Sequence, residues 1–207
     1  MKQILCFGDS NTYGLIPGTT DRYDWGIRWT SILAEEIREK GYRVIEEGLC
    51  GRTTVFDDPL RDGRRGTQLL PVLLETHKPI DTVILMLGTN DCKTIFDASP
   101  QVIGKGIERL LEQIKRNDPG IKVLLVSPIE LGERVWEDGF DPEFSQASIA
   151  VSRSLPEVYR KIAEKNDVYF LAASQSAGPS KVDQEHLDEE GHAALANAII
   201  HKIVTGI

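Results

Sequence analysis

The 207-residue chain has only three cysteines, Cys6, Cys50 and Cys92, an odd count without CxxC spacing. That sets aside a disulfide framework and makes reduced thiols in a cytosolic protein the simplest reading. Long apolar runs are missing too. None approaches the roughly 20 residues that cross a bilayer. The apolar stretch Ile4–Phe7 meets Gly8 and Asp9 at once, too short for the core of a secretory signal, so the mature chain is expected to start here, in the cytoplasm. There is no excess of basic residues. The net charge of -8 argues against nucleic acid or an anionic membrane as the main partner. No internal repeat or low-complexity segment occurs. No serine sits in the GxSxG nucleophile elbow of α/β-hydrolases. No GxxxxGK[ST] or GxGxxG loop is available to cradle a phosphate or dinucleotide, which counts against a nucleotide- or flavin-binding module.

What remains is an ordinary balance of 41% apolar and 27% charged residues, on a length that fits one domain spanning 1–207. Five apolar runs read as buried parallel strands: Ile4–Phe7, Val44–Ile45, Val83–Leu87, Val123–Val126 and Val168–Leu171. Helical period lies between them. Trp29, Ile32, Leu33 and Ile37 share a face, as do Ile103, Ile107, Leu110, Leu111 and Ile114. Leu155, Val158, Tyr159 and Ile162 form another, and Leu195, Ala196, Ile199, Ile200 and Ile203 a last one. Strand alternating with helix predicts an α/β fold, a three-layer α/β/α sandwich on a five-stranded parallel sheet of flavodoxin-like order.

In such a sheet, ligands bind beyond the carboxyl ends of the strands. The segments found there carry chemistry. Gly8-Asp9-Ser10-Asn11-Thr12 follows the first strand, Gly48-Leu49-Cys50-Gly51-Arg52-Thr53 the second, and Gly88-Thr89-Asn90-Asp91 the third. Asp183-Gln184-Glu185-His186 comes between the fifth strand and the last helix. If all four segments meet, they supply the parts of an acyl-transfer site. Ser10 needs a base to become a nucleophile, and His186 is the best one. Asp183, three residues earlier, can hold the imidazole in the right tautomer. The amides of Ser10 and Gly51 and the side-chain NH₂ of Asn90 can serve as oxyanion donors.

These four blocks, in this order and spacing, resemble the sequence blocks of SGNH (GDSL-type) hydrolases over nearly the whole chain. GLCGRTT, Asp57-Asp58-Pro59 and the stretch Ile80–Lys93 bring it nearest to the bacterial arylesterase/acyltransferase branch. The resemblance implies a serine esterase with Ser10 as nucleophile, Asp183 and His186 completing the triad, and Gly51 and Asn90 as oxyanion donors. It implies a small-molecule acyl ester as substrate, hydrolysed through an acyl-Ser10 intermediate with neither metal nor cofactor, and transfer to alcohols in some relatives. A carbohydrate deacetylase, lysophospholipase or thioesterase would use the same triad. A non-catalytic flavodoxin-like binding module is the rival of another class.

Plainer readings stand beside these. Ser10 alone would more often be a helix N-cap, and Asn90-Asp91 a turn, with Asp91 orienting the loop. His192 falls inside the last helical pattern and is read as a decoy. His77 and His201 read as helix ends or surface. Asp57-Asp58 and Glu189-Glu190 have no histidine or cysteine at ligand spacing, so no metal site is expected. Arg61, Arg64 and Arg65 read as a solvated face or an intersubunit contact. The stretch Ile129–Ser154 shows no clear period and is expected to be a long loop insertion that projects, closes the mouth of the site and contacts a neighbouring subunit. Its Trp136, Phe140 and Phe144 would need cover, either from a partner subunit, making a homo-oligomer, or from their own domain.

Overall fold

A computed structural model describes all 207 residues. Its centre is a five-stranded sheet of β1 (Lys2–Gly8), β2 (Tyr42–Gly48), β3 (Thr82–Met86), β4 (Lys122–Ser127) and β5 (Tyr169–Ala172). The order is β2-β1-β3-β4-β5, parallel throughout. This is the flavodoxin-like order predicted.

Period-two alternation along the strands divides the core. Leu5, Phe7, Val83, Leu85, Val123 and Leu125 face one side. There they pack with α3 (Gly66–Thr76), α4 (Pro100–Asn117) and α5 (Gln146–Asn166). Ile4, Cys6, Ile84, Met86, Leu124 and Val126 face the other, against α2 (Trp29–Arg38) and α6 (Glu189–Gly206). Each such side chain contributes about 1.5–3 kcal/mol on burial, so the two faces together fix the register. That register matters for the site. Gly8 pairs with Gly48 on one side and Met86 on the other, so β1, β2 and β3 end at one level. A one-residue slip would shift one rim segment by about 3.3 Å against its neighbours.

The four-residue helix α1 (Ser10–Tyr13) leaves β1 and crosses the end of β2. A Cβ at Gly48 would lie 2.1 Å from the Tyr13 nitrogen, so only glycine lets the two backbones pass this closely.

Two expectations need correction. Helix α3 was not among the predicted helical faces. It carries Pro71 in its interior and has no side-chain cap at its start, so both its boundary signal and its pattern are weak. The unpatterned stretch ends at Ser145 rather than Ser154. Residues 146–154 are the start of α5, where Ser145 and Ser148 form a reciprocal capping box. The remaining loop does not project as a whole. Leu131, Val135 and Phe144 are buried in the core shared with α4 and α5. The Ser152 hydroxyl accepts the Leu131 N–H at 3.0 Å. Trp136 is 45% exposed, with its indole N–H on the Glu133 carbonyl.

Candidate active site

Ser10 is the first residue of α1, and Asp9 is the cap. The N-cap role considered for Ser10 therefore belongs to its neighbour, whose carboxylate accepts the Asn11 N–H at 3.0 Å. This leaves the Ser10 hydroxyl free for other work. It lies 2.9 Å from Nε2 of His186, although 176 residues separate them in sequence. On the far side of the ring, Nδ1 is 2.8 Å from Oδ2 of Asp183. Hydroxyl, imidazole and carboxylate thus form one continuous line.

The turn that presents His186 is tightly built. Asp183 Oδ1 accepts the N–H groups of both Glu185 and His186, and Oδ2 accepts that of Gly18. Gln184, between them, has φ +65, a left-handed conformation costly for a residue with a side chain. Its backbone is anchored at both ends, N–H to the Ser180 carbonyl and C=O to the Gly132 N–H. Burial works against the charge on Asp183, but the His186 ring and the two backbone N–H groups outweigh it and hold its carboxyl below the ordinary range. Burial also opposes a charge on His186. The nearby Glu185 carboxylate, and then Asp183, overcome it and raise the imidazole to about 8.

Gly51 and Asn90 line the same cavity as Ser10 and His186. Gly51 has φ +82, and its N–H has no acceptor in the protein. The Asn90 amide donates one hydrogen to the Arg52 carbonyl at 3.1 Å, which fixes its plane and leaves the second hydrogen available. Asp91 is structural, as expected. Fully buried, it accepts from the Thr54 N–H and hydroxyl and so ties the Gly51–Thr54 loop to the end of β3. Burial pushes its carboxyl up to about 7. Arg52 stacks on Phe7 and donates to the carbonyls of Gly8 and Glu47, joining the ends of β1 and β2.

His192 lies apart from this line. It is fully buried in α6, where Nδ1 accepts the Trp29 N–H and the ring meets Tyr23 edge-on. Burial depresses its pKa to about 4. His77 ends α3 against Glu47, and His201 is exposed on α6. Asp58 closes a turn by accepting the Leu60 N–H, and Glu189 and Glu190 begin α6.

The arginine reading changes in part. Arg65 pairs with Asp57 at the surface, and Arg64 donates to the Cys50 carbonyl. Arg61, however, lines the cavity and pairs with Glu143 from the long loop. The same Glu143 carboxylate takes the buried Lys93 ammonium at 2.6 Å. One acidic side chain therefore holds the loop against two rim segments.

Several groups at the site were not singled out from sequence: Asn11, Glu185, Lys93 and Asp141. Asn11 and Glu185 carried a signal, their places beside Ser10 and His186 in segments already marked.

A doubly wound parallel sheet with serine, imidazole and carboxylate aligned on its carboxyl rim defines a class of α/β hydrolytic enzyme distinct from the GxSxG type. The chain belongs to the GDSL-like lipase/acylhydrolase family, whose model matches residues 6–194, and it is an enzyme that hydrolyses esters. No curated protein matches it in sequence. Among solved structures it is similar to Est24, a carbohydrate acetylesterase from Sinorhizobium meliloti, with 35% identity, 100% of both chains covered and a TM-score of 0.92. It is also similar to the aryl esterase of M. smegmatis, at 33% identity over 100% of both chains and a TM-score of 0.90. A lipase/acylhydrolase from Enterococcus faecalis shares the fold at 20% identity, covering 98% of this chain and 95% of that one, with a TM-score of 0.70. No helix is long and apolar enough to cross a membrane.

Proposed function

We propose that the protein cleaves small acyl esters through an acyl-Ser10 intermediate. The observation that carries this is the unbroken line Ser10 Oγ–His186 Nε2–Asp183, with contacts of 2.9 and 2.8 Å. Neutral His186 takes the hydroxyl proton as Oγ attacks the acyl carbon. Negative charge then develops on the carbonyl oxygen and is met by the N–H groups of Ser10 and Gly51 and the free hydrogen of Asn90. Asp183 stabilises the imidazolium formed in this step. The imidazolium gives its proton to the departing alcohol oxygen. Water, deprotonated by the same nitrogen, cleaves the acyl-enzyme. An alcohol can replace that water, which would make the outcome acyl transfer.

The cavity supports a second, finer reading of the substrate. Its volume is about 320 Å³, and only two of its 12 lining residues are apolar. No phenylalanine, tyrosine or tryptophan is among them, while Arg61, Lys93, Asp141 and Glu185 are. The small volume suits a short acyl group, and the charged groups on the wall suit an alcohol half that carries hydroxyls, as in a carbohydrate ester. The exposed Trp136 favours a homo-oligomer in which a partner covers it. The three unpaired cysteines suit a reducing compartment, which we read as the cytoplasm.

A fluorophosphonate probe should label Ser10 alone, and Ser10→Ala should abolish both labelling and turnover, a loss on the order of 10⁴-fold or more. Full activity in that variant would remove the mechanism. A panel of acyl esters, run with and without a competing alcohol, separates chain-length preference and transfer. Light scattering at micromolar concentration tests the assembly.

A further inference from the structure

Glu185 is the one acidic side chain lining the cavity whose carboxylate accepts no hydrogen bond from the protein. The residue is 6% exposed, yet its side chain opens onto the cavity shared by Ser10 and His186. Its Oε1 lies 3.7 Å from His186 Nε2, too long for a hydrogen bond, and that nitrogen already faces Ser10. No N–H or O–H of the protein donates to either carboxylate oxygen. Lys93, the nearby cation, is engaged with Glu143. The backbone that presents the carboxylate is held on both sides. The Glu185 N–H bonds Asp183, its carbonyl accepts from Asn11, and the following Leu187 N–H donates to Asn11. Both oxygens open onto the cavity, where solvent can serve them in the free enzyme, and a substrate that displaces that solvent without supplying a donor would leave a charge unpaired at a cost. Burial accordingly pushes the Glu185 carboxyl up to about 7.

In the complex, that donor comes with the substrate. Nε2 is the nitrogen that returns the proton to the departing alcohol oxygen, so a group beside it meets the alcohol half of the ester, close to the scissile bond. A quaternary ammonium has no hydrogen to donate and would want a wall of phenylalanine, tyrosine or tryptophan, which the cavity lacks. A primary ammonium would meet Arg61 and Lys93 in the same small space. A neutral hydroxyl conflicts with none of these. The two oxygens of a vicinal diol are spaced to meet a base and an acceptor that lie this close together.

We propose that Glu185 is a specificity-determining residue, which accepts a hydrogen bond from a hydroxyl on the carbon next to the acylated one. The enzyme thereby selects monoesters of vicinal diols such as sugars and polyols. This rests on the acyl-Ser10 reading and narrows its substrate.

The test is the ratio of kcat/KM for 2-hydroxyethyl acetate to that for 2-methoxyethyl acetate, measured by acetate release above the acid limb of the pH profile. Methylation removes the donor and adds a methyl group, whose bulk is read separately from the ratio of propyl to butyl acetate, esters of the same two lengths without the oxygen. The wild type should favour the hydroxyl ester about tenfold or more, the effect of a hydrogen bond to a charged acceptor. Glu185→Met should bring the ratio near one. Glu185→Gln, whose neutral carbonyl still accepts, should fall between. Both rates come from one sample, so partial misfolding lowers them alike and cancels. A wild-type ratio near one, or a Met variant that keeps the preference, overturns the proposal. The acyl-serine reading fails on a different result, continued hydrolysis of both acetates by Ser10→Ala.

Discussion

The side-chain oxygen of Asn11 accepts the N–H of Leu187 at 2.9 Å, across 176 residues of sequence. The amide nitrogen of the same side chain donates to the Glu185 carbonyl at 3.3 Å. The residue after Ser10 thus grips the chain on both sides of His186. Its own carbonyl receives the Trp29 indole N–H, which anchors the grip in the core. Asn11→Ala should leave the Leu187 N–H buried and unpaired, at a cost of about 1–3 kcal/mol. It should lower kcat about 10- to 100-fold through loss of alignment, with a smaller change in KM. Thermal unfolding and steady-state kinetics together check this. A stability loss with kcat unchanged would make Asn11 a fold residue alone.

Asn90 tests the oxyanion assignment. Its amide is held by the Arg52 carbonyl with one hydrogen to spare. Asn90→Ala should lower kcat about 10²- to 10³-fold while KM changes little, because the donor acts on charge that develops only in the transition state. An effect confined to KM would place the amide against the body of the substrate instead.

The pH profile follows from two neighbouring groups. His186 must be neutral to take the Ser10 proton, and its pKa is raised to about 8. Activity should therefore rise with pH, reaching half its plateau near that value. The carboxylates facing the ring are Glu185, Asp183 and Asp9. Glu185 itself titrates near 7, so the acid limb belongs to the coupled pair. Glu185→Gln removes the negative charge that favours the imidazolium. Burial then counts for more, the imidazole pKa falls, and the acid limb should move to lower pH. Phenyl acetate hydrolysis across the acid limb reads the shift. A limb that stays in place would show that Glu185 does not sense the ring.

His192 should govern stability rather than chemistry. Burial lowers its pKa from 6.5 to about 4. The folded state therefore resists a proton that the unfolded chain accepts. Stability from this group is full above pH 6.5 and is lost as the pH falls toward 4, by an amount on the order of 3 kcal/mol. His192→Gln should flatten the fall in denaturant midpoint over that window while activity per folded molecule stays close to wild type. Loss of turnover in a folded variant would reverse the roles given to the two histidines.

Much of this was legible in the sequence because it is local or periodic. Apolar runs such as Val123–Val126 mark strands because each residue faces one core or the other. Asp183 and His186 lie one turn apart, so their contact needs little but the turn between them. Gly8-Asp9-Ser10 and Gly88-Thr89-Asn90 stand where a parallel sheet must bind ligands. The strand order then made their meeting a consequence of topology. Helix α3 and the first turns of α5 were not legible, because Pro71, and the serines that cap and line α5, blur the helical pattern.

What the tertiary structure alone decided is which partners each side chain has left over. The sequence determined that Ser10, Asp183 and His186 are present and in order. It could not say that Asp9, not Ser10, caps the helix, or that Asn11 bonds both neighbours of His186. Nor could it say that Glu143 draws Lys93 and Arg61 together while Glu185 receives no donor at all. The reason is physical. A hydrogen bond depends on distances of a few tenths of an ångström between groups far apart in the chain, and no spacing rule in one dimension encodes those distances.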